Sequence, residues 1–476
     1  MGRMRKLRIM LSVGAVLVLL TAMGPRAEAG VVAPCERPII FPGSDVNLVL
    51  LPYALNSPEL RLRQDSFALW DNDGARALSS LIQFDTLYAL RYPAALAVVQ
   101  LFAEGGDDCS VERVKRDVEA MLAPGKGAVF LWGGLVERDG QIFVQSYVEF
   151  FRKDRPDLIA FDMPSPAGTA RYLGGVPQRG IGLPPRILTR ENMTEIGEAA
   201  TSARRLSAEP GGPPEIALPD APDATFAFYV TAVRDDGWMR IRAATSERDF
   251  VEPDEAAFEG WLPAQPDWSL RRLLPDLDFV EAAIGFLVGQ IVEEERMGDH
   301  WAGGWVRRYD LARTRSAEAV TRFVEATGGA ESGAADIDAA TSVALAETMR
   351  AAMALNGPPV ERVEASVPGA PTPETMLDLA LVDLGHATRL VPYHPESRNL
   401  LAIALSARAA LSGDTEEAAS AAAEWQRALS LAPNDRAISA NLAAYYRAAK
   451  EAGLSELLGL SPAEIDARLR FLASEG

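Results

Sequence analysis

Side chains able to do chemistry are few in this chain, and they are scattered. Histidine occurs at His300, His386 and His394 alone, in different contexts and without the spacing that metal ligation or a nucleophile and base would need. His300, beside Asp299 and Trp301, lies where a cleft could form, but a lone histidine reads as structural. His386, next to Ala387, and His394, in the turn after Pro392, have structural readings too. Gly125-Lys126 is no phosphate loop, because the Gly five positions earlier is missing and Gly127 stands where Ser or Thr is required. Neither a Gly-x-Ser-x-Gly elbow nor a His-Glu-x-x-His helix occurs. Asp107, Asp108 and Glu293 to Glu295 read as solvated charge; a glycosidase built from two distant carboxylates leaves no sequence signature and stays open. The expectation is a protein with no catalytic residues, no metal and no cofactor.

Cys35 and Cys109 are the two cysteines, and an oxidising compartment would allow them to pair, tying the amino terminus to the first domain. Export into such a compartment is what the start of the chain describes. Arg3, Arg5, Lys6 and Arg8 precede an apolar run from Ile9 to Met23, and Ala27-Glu28-Ala29 has the small-x-small shape of a cleavage site, so Met1 to Ala29 reads as a signal peptide. The run is shorter than the roughly 20 residues of a spanning helix. The alternative is an uncleaved amino-terminal anchor in the inner membrane. A lipoprotein fits poorly, since Cys35 lies well past the apolar run and follows Pro34. Phe279 to Ile291, the next most apolar stretch, is interrupted by Glu281 and flanked by Glu293 to Glu295, as a buried helix would be. The expected location is therefore periplasmic or secreted, with no spanning segment in the mature chain.

Cleavage would remove five positive charges and one negative, taking the net charge from −19 to −23. A surface of that sign repels phosphate backbones and anionic lipid, which argues against nucleic-acid partners.

At roughly 150 residues per domain, the mature length suggests three units, and Pro/Gly-rich breaks at 163–185, 210–223 and 357–373 agree. The expected fold is multidomain α+β: a signal peptide at 1–29, an α/β sandwich at 30–165, a linker at 166–222 with a helix near 190–206, a small SH3-like β-barrel at 223–268, a helical region at 269–357, a Pro-rich linker at 358–373, and a tetratricopeptide-type helical array with a capping helix at 374–476.

In the first unit, Val46 to Leu51 has strand length and is stopped by Pro52; a helix follows near Ala75 to Leu90, then a second apolar run at Ala95 to Phe102 and a helix over Val111 to Leu122. Ala128 to Glu137 and Gln141 to Arg152 flank Arg138-Asp139-Gly140, a hairpin with Asp-Gly in its turn. The stretch Gly134-Leu135-Val136-Glu137-Arg138-Asp139-Gly140-Gln141-Ile142-Phe143-Val144 resembles the closing hairpin of the TolB amino-terminal type of domain. In the second unit, Phe226, Phe228 and Val230 alternate with smaller residues, Asp235-Asp236-Gly237 makes a turn before a strand at Trp238 to Arg242, and Gly260-Trp261-Leu262-Pro263-Ala264 follows. This is similar to the carboxy-terminal half of a bacterial SH3 module. The resemblance implies binding of cell wall or peptide, with Trp238 and Trp261 either in a ligand groove or simply in the barrel core.

The clearest signal is repetition. Ala380, Leu384, Ala387 and Pro392, followed by Leu401, Ala402 and Leu405, return 41 residues on as Ala421, Trp425, Ala428 and Pro433, followed by Leu442, Ala443 and Tyr446. Small residues let paired helices approach, large ones fill between layers, and Pro stops each second helix. The pattern resembles the tetratricopeptide repeat, whose period is 34, so a turn or a helix around Ser412-Gly413-Asp414 is extended. Ser461-Pro462-Ala463-Glu464 is a capping box for a last helix, Pro462 to Leu472. Such an array needs about three repeats, and the helices at 339–355 and 374–390 could form a degenerate first pair across their long linker.

The resemblance implies a non-catalytic scaffold holding a protein or peptide partner, with peptidoglycan as a further candidate through the barrel. Candidate contacts are Tyr445, Tyr446, Asn441 and Asn399 in the array and Trp238 and Trp261 in the barrel; Trp425 sits at a packing position. The competing readings are an envelope enzyme with a catalytic α/β unit and a structural assembly subunit.

Overall fold

The computed structural model describes residues 40–42, 44–55, 95–98, 111–138, 141–154, 158–176, 180–192, 194–195, 205–217, 226–234, 236–244, 258–263, 270–295, 303–327, 337–358 and 366–475. The segment 1–29 expected to be a signal peptide, Cys35, Cys109, Asp107, Asp108, His300 and the helix expected near Ala75 to Leu90 lie outside the described residues.

The strands are β1 (Val46–Leu55), β2 (Ala95–Val98), β3 (Gly127–Arg138), β4 (Gln141–Arg152), β5 (Leu158–Ser165), β6 (Gly168–Gly175), β7 (Ile181–Gly182), β8 (Arg186–Leu188), β9 (Arg205–Leu206), β10 (Ile216–Ala217), β11 (Phe226–Val233), β12 (Trp238–Ala244) and β13 (Phe258–Pro263). A nine-stranded sheet runs β13-β12-β11-β2-β1-β3-β4-β7, with β8 also on β4. Only β1 pairs in parallel, with β2 and β3; the other pairs are antiparallel.

Strand β1 is central, which is why residues 48–51 read as a continuous apolar run with both faces covered; the strand passes Pro52, expected to stop it, and ends at Leu55. Val49 and Leu51, with Ala128 and Phe130 of β3, pack on Val114, Val118 and Leu122 of helix α1 (Val111–Met121) and its end. Leu48, Leu50, Val129 and Leu131 face the opposite way, toward α2 (Asp276–Glu295). Helix α2 is buried around its axis from Asp276 to Gly289, as its largely apolar sequence demands, between the sheet and helices α3 (Gly303–Ala326) and α4 (Ile337–Leu355). Among the described residues no helix is long and apolar enough to cross a membrane.

Charge is neutralised where these layers meet. Lys126 donates to Asp45 and to Glu295, both at 2.8 Å, and Arg308 of α3 bonds the same two carboxylates, so the start of β1 is tied to the end of α2. Arg271 and Arg322 together bracket the buried Asp278 and Glu281. Buried carboxylates held this way are satisfied rather than poised for chemistry.

Among the described residues of 223–268 the expected separate barrel is not seen. Strands β11 to β13 extend the sheet, with Phe226 opposite Val98 and Tyr229 opposite Ala95. The reason is edge physics: β2 would otherwise present a row of unpaired backbone groups, and β11 satisfies them. The Pro/Gly-rich break at 163–185 is likewise structured, holding most of the β5–β6 hairpin and the edge strand β7. Of the helix expected near 190–206, residues 190–192 and 194–195 are helical, and Arg205–Leu206 is a strand.

The carboxy-terminal part is a helical array of α5 (Pro373–Leu390), α6 (Pro395–Ser412), α7 (Thr415–Leu431), α8 (Arg436–Glu451) and α9 (Pro462–Glu475). Ala380, Leu384, Ala387, Ala402, Ala421, Trp425 and Ala428 are all fully buried, as their pattern requires. The added length of the repeat lies in the helices: α6 has 18 residues and α7 has 17, joined tightly by Gly413 in the left-handed region and Asp414, which caps Glu416 and Glu417. The capping box at Ser461 forms, with Glu464 accepting from Ser461 N at 2.7 Å. Helix α4 packs on α5 through Arg350, which donates to both oxygens of Asp383, and through Glu347, which bonds His386. The pair α4–α5 thus precedes α6–α7 and α8–α9, and the array reaches the three layers a continuous core needs.

Candidate functional site

The arrangement most able to act on another molecule is already engaged within the chain: the face of α6 and α8 holds the β5–β6 hairpin. This hairpin is a separate two-stranded sheet. It closes at Ser165 and Gly168, where Ser165 Oγ donates to the Gly168 carbonyl at 2.7 Å and Gly168 takes φ 116°, accessible to glycine without strain.

Leu173 stands opposite Ala160 in the hairpin and turns both its backbone groups outward. Its N–H donates to Asn441 Oδ1 at 2.7 Å. Its carbonyl accepts from Asn441 Nδ2 at 2.6 Å and from Asn399 Nδ2 at 2.9 Å. A carboxamide carries a donor and an acceptor side by side, so Asn441 pairs with Leu173 as a neighbouring strand would. The asparagines are themselves fixed: Asn441 Nδ2 and Trp425 Nε1 both donate to Asn399 Oδ1, each at 2.9 Å. Contacts of this kind read backbone and leave the Leu173 side chain unspecified.

The neighbours of Leu173 supply the side-chain readout. Tyr172 is fully buried, its ring 5.1 Å from that of Trp425, which lies 5.0 Å from Tyr445. The Tyr172 hydroxyl meets Ser406 Oγ at 3.2 Å, and burial pushes its pKa up to about 12. Gly174 has no room for a side chain: a Cβ there would lie 2.5 Å from Phe161 and 2.6 Å from Leu400. The site therefore accepts an extended segment with an aromatic residue two positions before a glycine.

Sequence reasoning placed Asn399 and Asn441 among the contact residues, and the structure sets them side by side on the hairpin. It does not place Tyr445 at a surface. That ring is 0 % exposed and its hydroxyl donates to the Ala418 carbonyl at 2.8 Å, so Tyr445 backs Trp425 instead of meeting a partner. Tyr446 is also buried, its hydroxyl taking bonds from Gln426 and Arg468. Trp238 and Trp261 are half-buried on the outer face of the extended sheet, and Trp261 lies under Arg234 and Arg240. Tyr172, Gly174 and Ser406 were missed. The sequence does carry a signal for the hairpin, Ser165-Pro166-Ala167-Gly168 between two alternating stretches, but its Pro and Gly content reads equally as a linker.

At His386 and His394, histidine chemistry is absorbed by packing. His394 Nδ1 bonds Ser397 Oγ at 2.5 Å, and Glu396 lies 3.4 Å from Nε2, the membership of a hydrolytic triad. Ser397 is fully buried, however, and its hydroxyl also meets Thr348 at 2.8 Å, which clamps α6 to α4. A cavity of about 310 Å³ beside His394, lined by Ile181, Asp338, Thr341 and Val391, does not reach that hydroxyl. Burial holds His394 below its ordinary pKa and pushes Glu347, beside His386, above the usual carboxylate range. Among the described residues no group of three or more His, Cys, Asp or Glu side chains is placed to hold a metal ion.

No family model matches the chain, and no curated protein matches it in sequence. Solved structures with detectable likeness include MamA MSR-1 C2, 17% identical, which covers 43% of this chain and 98% of that one at a TM-score of 0.21. MamA AMB-1 P212121, 16% identical, covers 44% of this chain and 94% of that one, also at 0.21. Scores this low carry no argument about fold or function.

Proposed function

We propose that the protein is an exported, non-catalytic scaffold that binds a protein or peptide partner through its helical array, an array of tetratricopeptide type. One observation carries the reading: two asparagines on separate helices take both hydrogen-bonding groups of one residue in an extended strand, beside an aromatic well for its neighbour. That is the equipment of a receptor for extended polypeptide. Export rests on the basic, apolar and small-x-small succession of Met1 to Ala29. Amino-terminal sequencing of the protein from its native cell tests it: a chain beginning at Gly30 supports cleavage, and a membrane-bound chain retaining Met1 overturns it in favour of an anchor.

The binding role is tested by crosslinking in the native cell, purification, and mapping of crosslinked residues by mass spectrometry. Discrete proteins joined to residues 373–475 are the expected result. Wall fragments alone, or partners joined only to the sheet, would make the array a support and move the function elsewhere.

A further inference from the structure

Strand β6 of the hairpin occupies the receptor face, so the face is closed to a partner unless β6 leaves. We propose that β6 is a displaceable resident, and that the partner is a protein segment of the same chemistry, extended and carrying an aromatic residue two positions before a glycine, which takes its place on α6 and α8. This deepens the scaffold reading and rests on it.

Several independent features support displacement. The hairpin shares no ladder with the main sheet, so removing it breaks no strand of that sheet. A two-stranded hairpin on its own is marginal in water, so its order depends on the array. Its polar anchoring is concentrated on Tyr172 and Leu173, and most of that is backbone bonding, which any extended chain can reproduce. The vacated face would leave Asn399 Nδ2, Asn441 Oδ1 and Ser406 without their β6 partners, and buried polar groups cannot stay unpaired cheaply. An occupant must therefore offer a backbone N–H and C=O, a ring for the well at Trp425 and a residue without Cβ against the Phe161 ring of β5 and Leu400. A tethered hairpin competes at an effective concentration of about millimolar. The intact chain should consequently bind such a segment weakly, and loss of Tyr172 should unmask the face.

The test uses the full chain and a labelled peptide with the sequence of residues 168–176, read by fluorescence polarisation. Tyr172→Ala is expected to bind the peptide at least tenfold more tightly than the unaltered chain. Adding Asn399→Ala and Asn441→Ala should abolish that binding, as should replacing the tyrosine of the peptide by alanine. Failure of a folded Tyr172→Ala chain to bind would overturn the proposal, and so would binding that survives loss of both asparagines.

Hydrogen exchange on the unaltered chain gives a second readout that needs no variant. Amides of residues 168–175 should exchange before those of β3 and β4, and faster still with excess peptide. Exchange only with global unfolding would make the hairpin a permanent part of the core and end the idea. A dimer with exchanged hairpins would overturn it in favour of a second copy of this chain. If partners crosslink to the array while the peptide fails to bind, this inference alone falls. If the peptide binds and no partner reaches the array, the scaffold reading falls.

Discussion

Asn441 spends its side chain on a single peptide unit, and the consequence of removing it can be put in numbers. Asn441→Ala leaves the Leu173 N–H without its partner, while Asn399 keeps the carbonyl. A buried donor left unsatisfied costs roughly 1–3 kcal/mol, so urea denaturation should show a loss in that range. Asn399→Ala leaves Leu173 on Asn441 but strands the buried Trp425 Nε1, one unsatisfied donor again, and should cost a similar amount. His394 makes a pH prediction. Its pKa is lowered from 6.5 by burial, so on acidification the unfolded chain takes up the proton first. The stability it contributes is present above about 6.5 and is lost as pH falls through the lowered folded value. Stability measured at pH 7 and pH 5 should therefore drop less in His394→Gln than in the unaltered chain; equal drops would assign the pH dependence to other groups. At this scale residue type was legible and environment was not. Asparagine on a repeat helix marks a candidate contact, whereas nothing local distinguishes Tyr445, walled in by Trp425 and Ala418, from an exposed tyrosine.

Elements divide by whether their partners are near in sequence. Helices α5 to α9 follow from spacing, because each helix buries its face against the next one along the chain, and their ends follow from Thr372, Asp414, Asp435 and Ser461. Asp435→Ala removes a side chain that accepts from Ala437 and Ile438, and should lower stability by about 1 kcal/mol. Strands β11 to β13 show the opposite case. Their alternation and turn are legible, and a free-standing barrel is a sound inference from them, but their own pattern does not reveal that β2 has an edge to be covered. A fragment of residues 223–268 should accordingly be unfolded by far-UV circular dichroism, since β11 lacks β2 and the core side chains Val230, Met239 and Ile241 lack their cover. A folded fragment would restore the independent module.

For the molecule as a whole, sheet, buried helix and array share one continuous apolar core. Removing residues 373–475 would expose Tyr172, Phe161 and the face of α4, so the shortened chain should bind a hydrophobic dye strongly and aggregate. Partner mapping on this protein is therefore better done with point variants than with truncation. The sequence by itself determined the mixed α and β composition, the strand at β1, the buried helix α2 and the repeating helices, because each is written in local periodicity. Tertiary structure decided which strand edges meet and what fills the array. Phe226 pairs with Val98, and Leu173 is held by Asn441, 268 residues away, through backbone groups that every residue carries alike. Contacts made by the part of the chain common to all residues leave little trace in the order of the side chains.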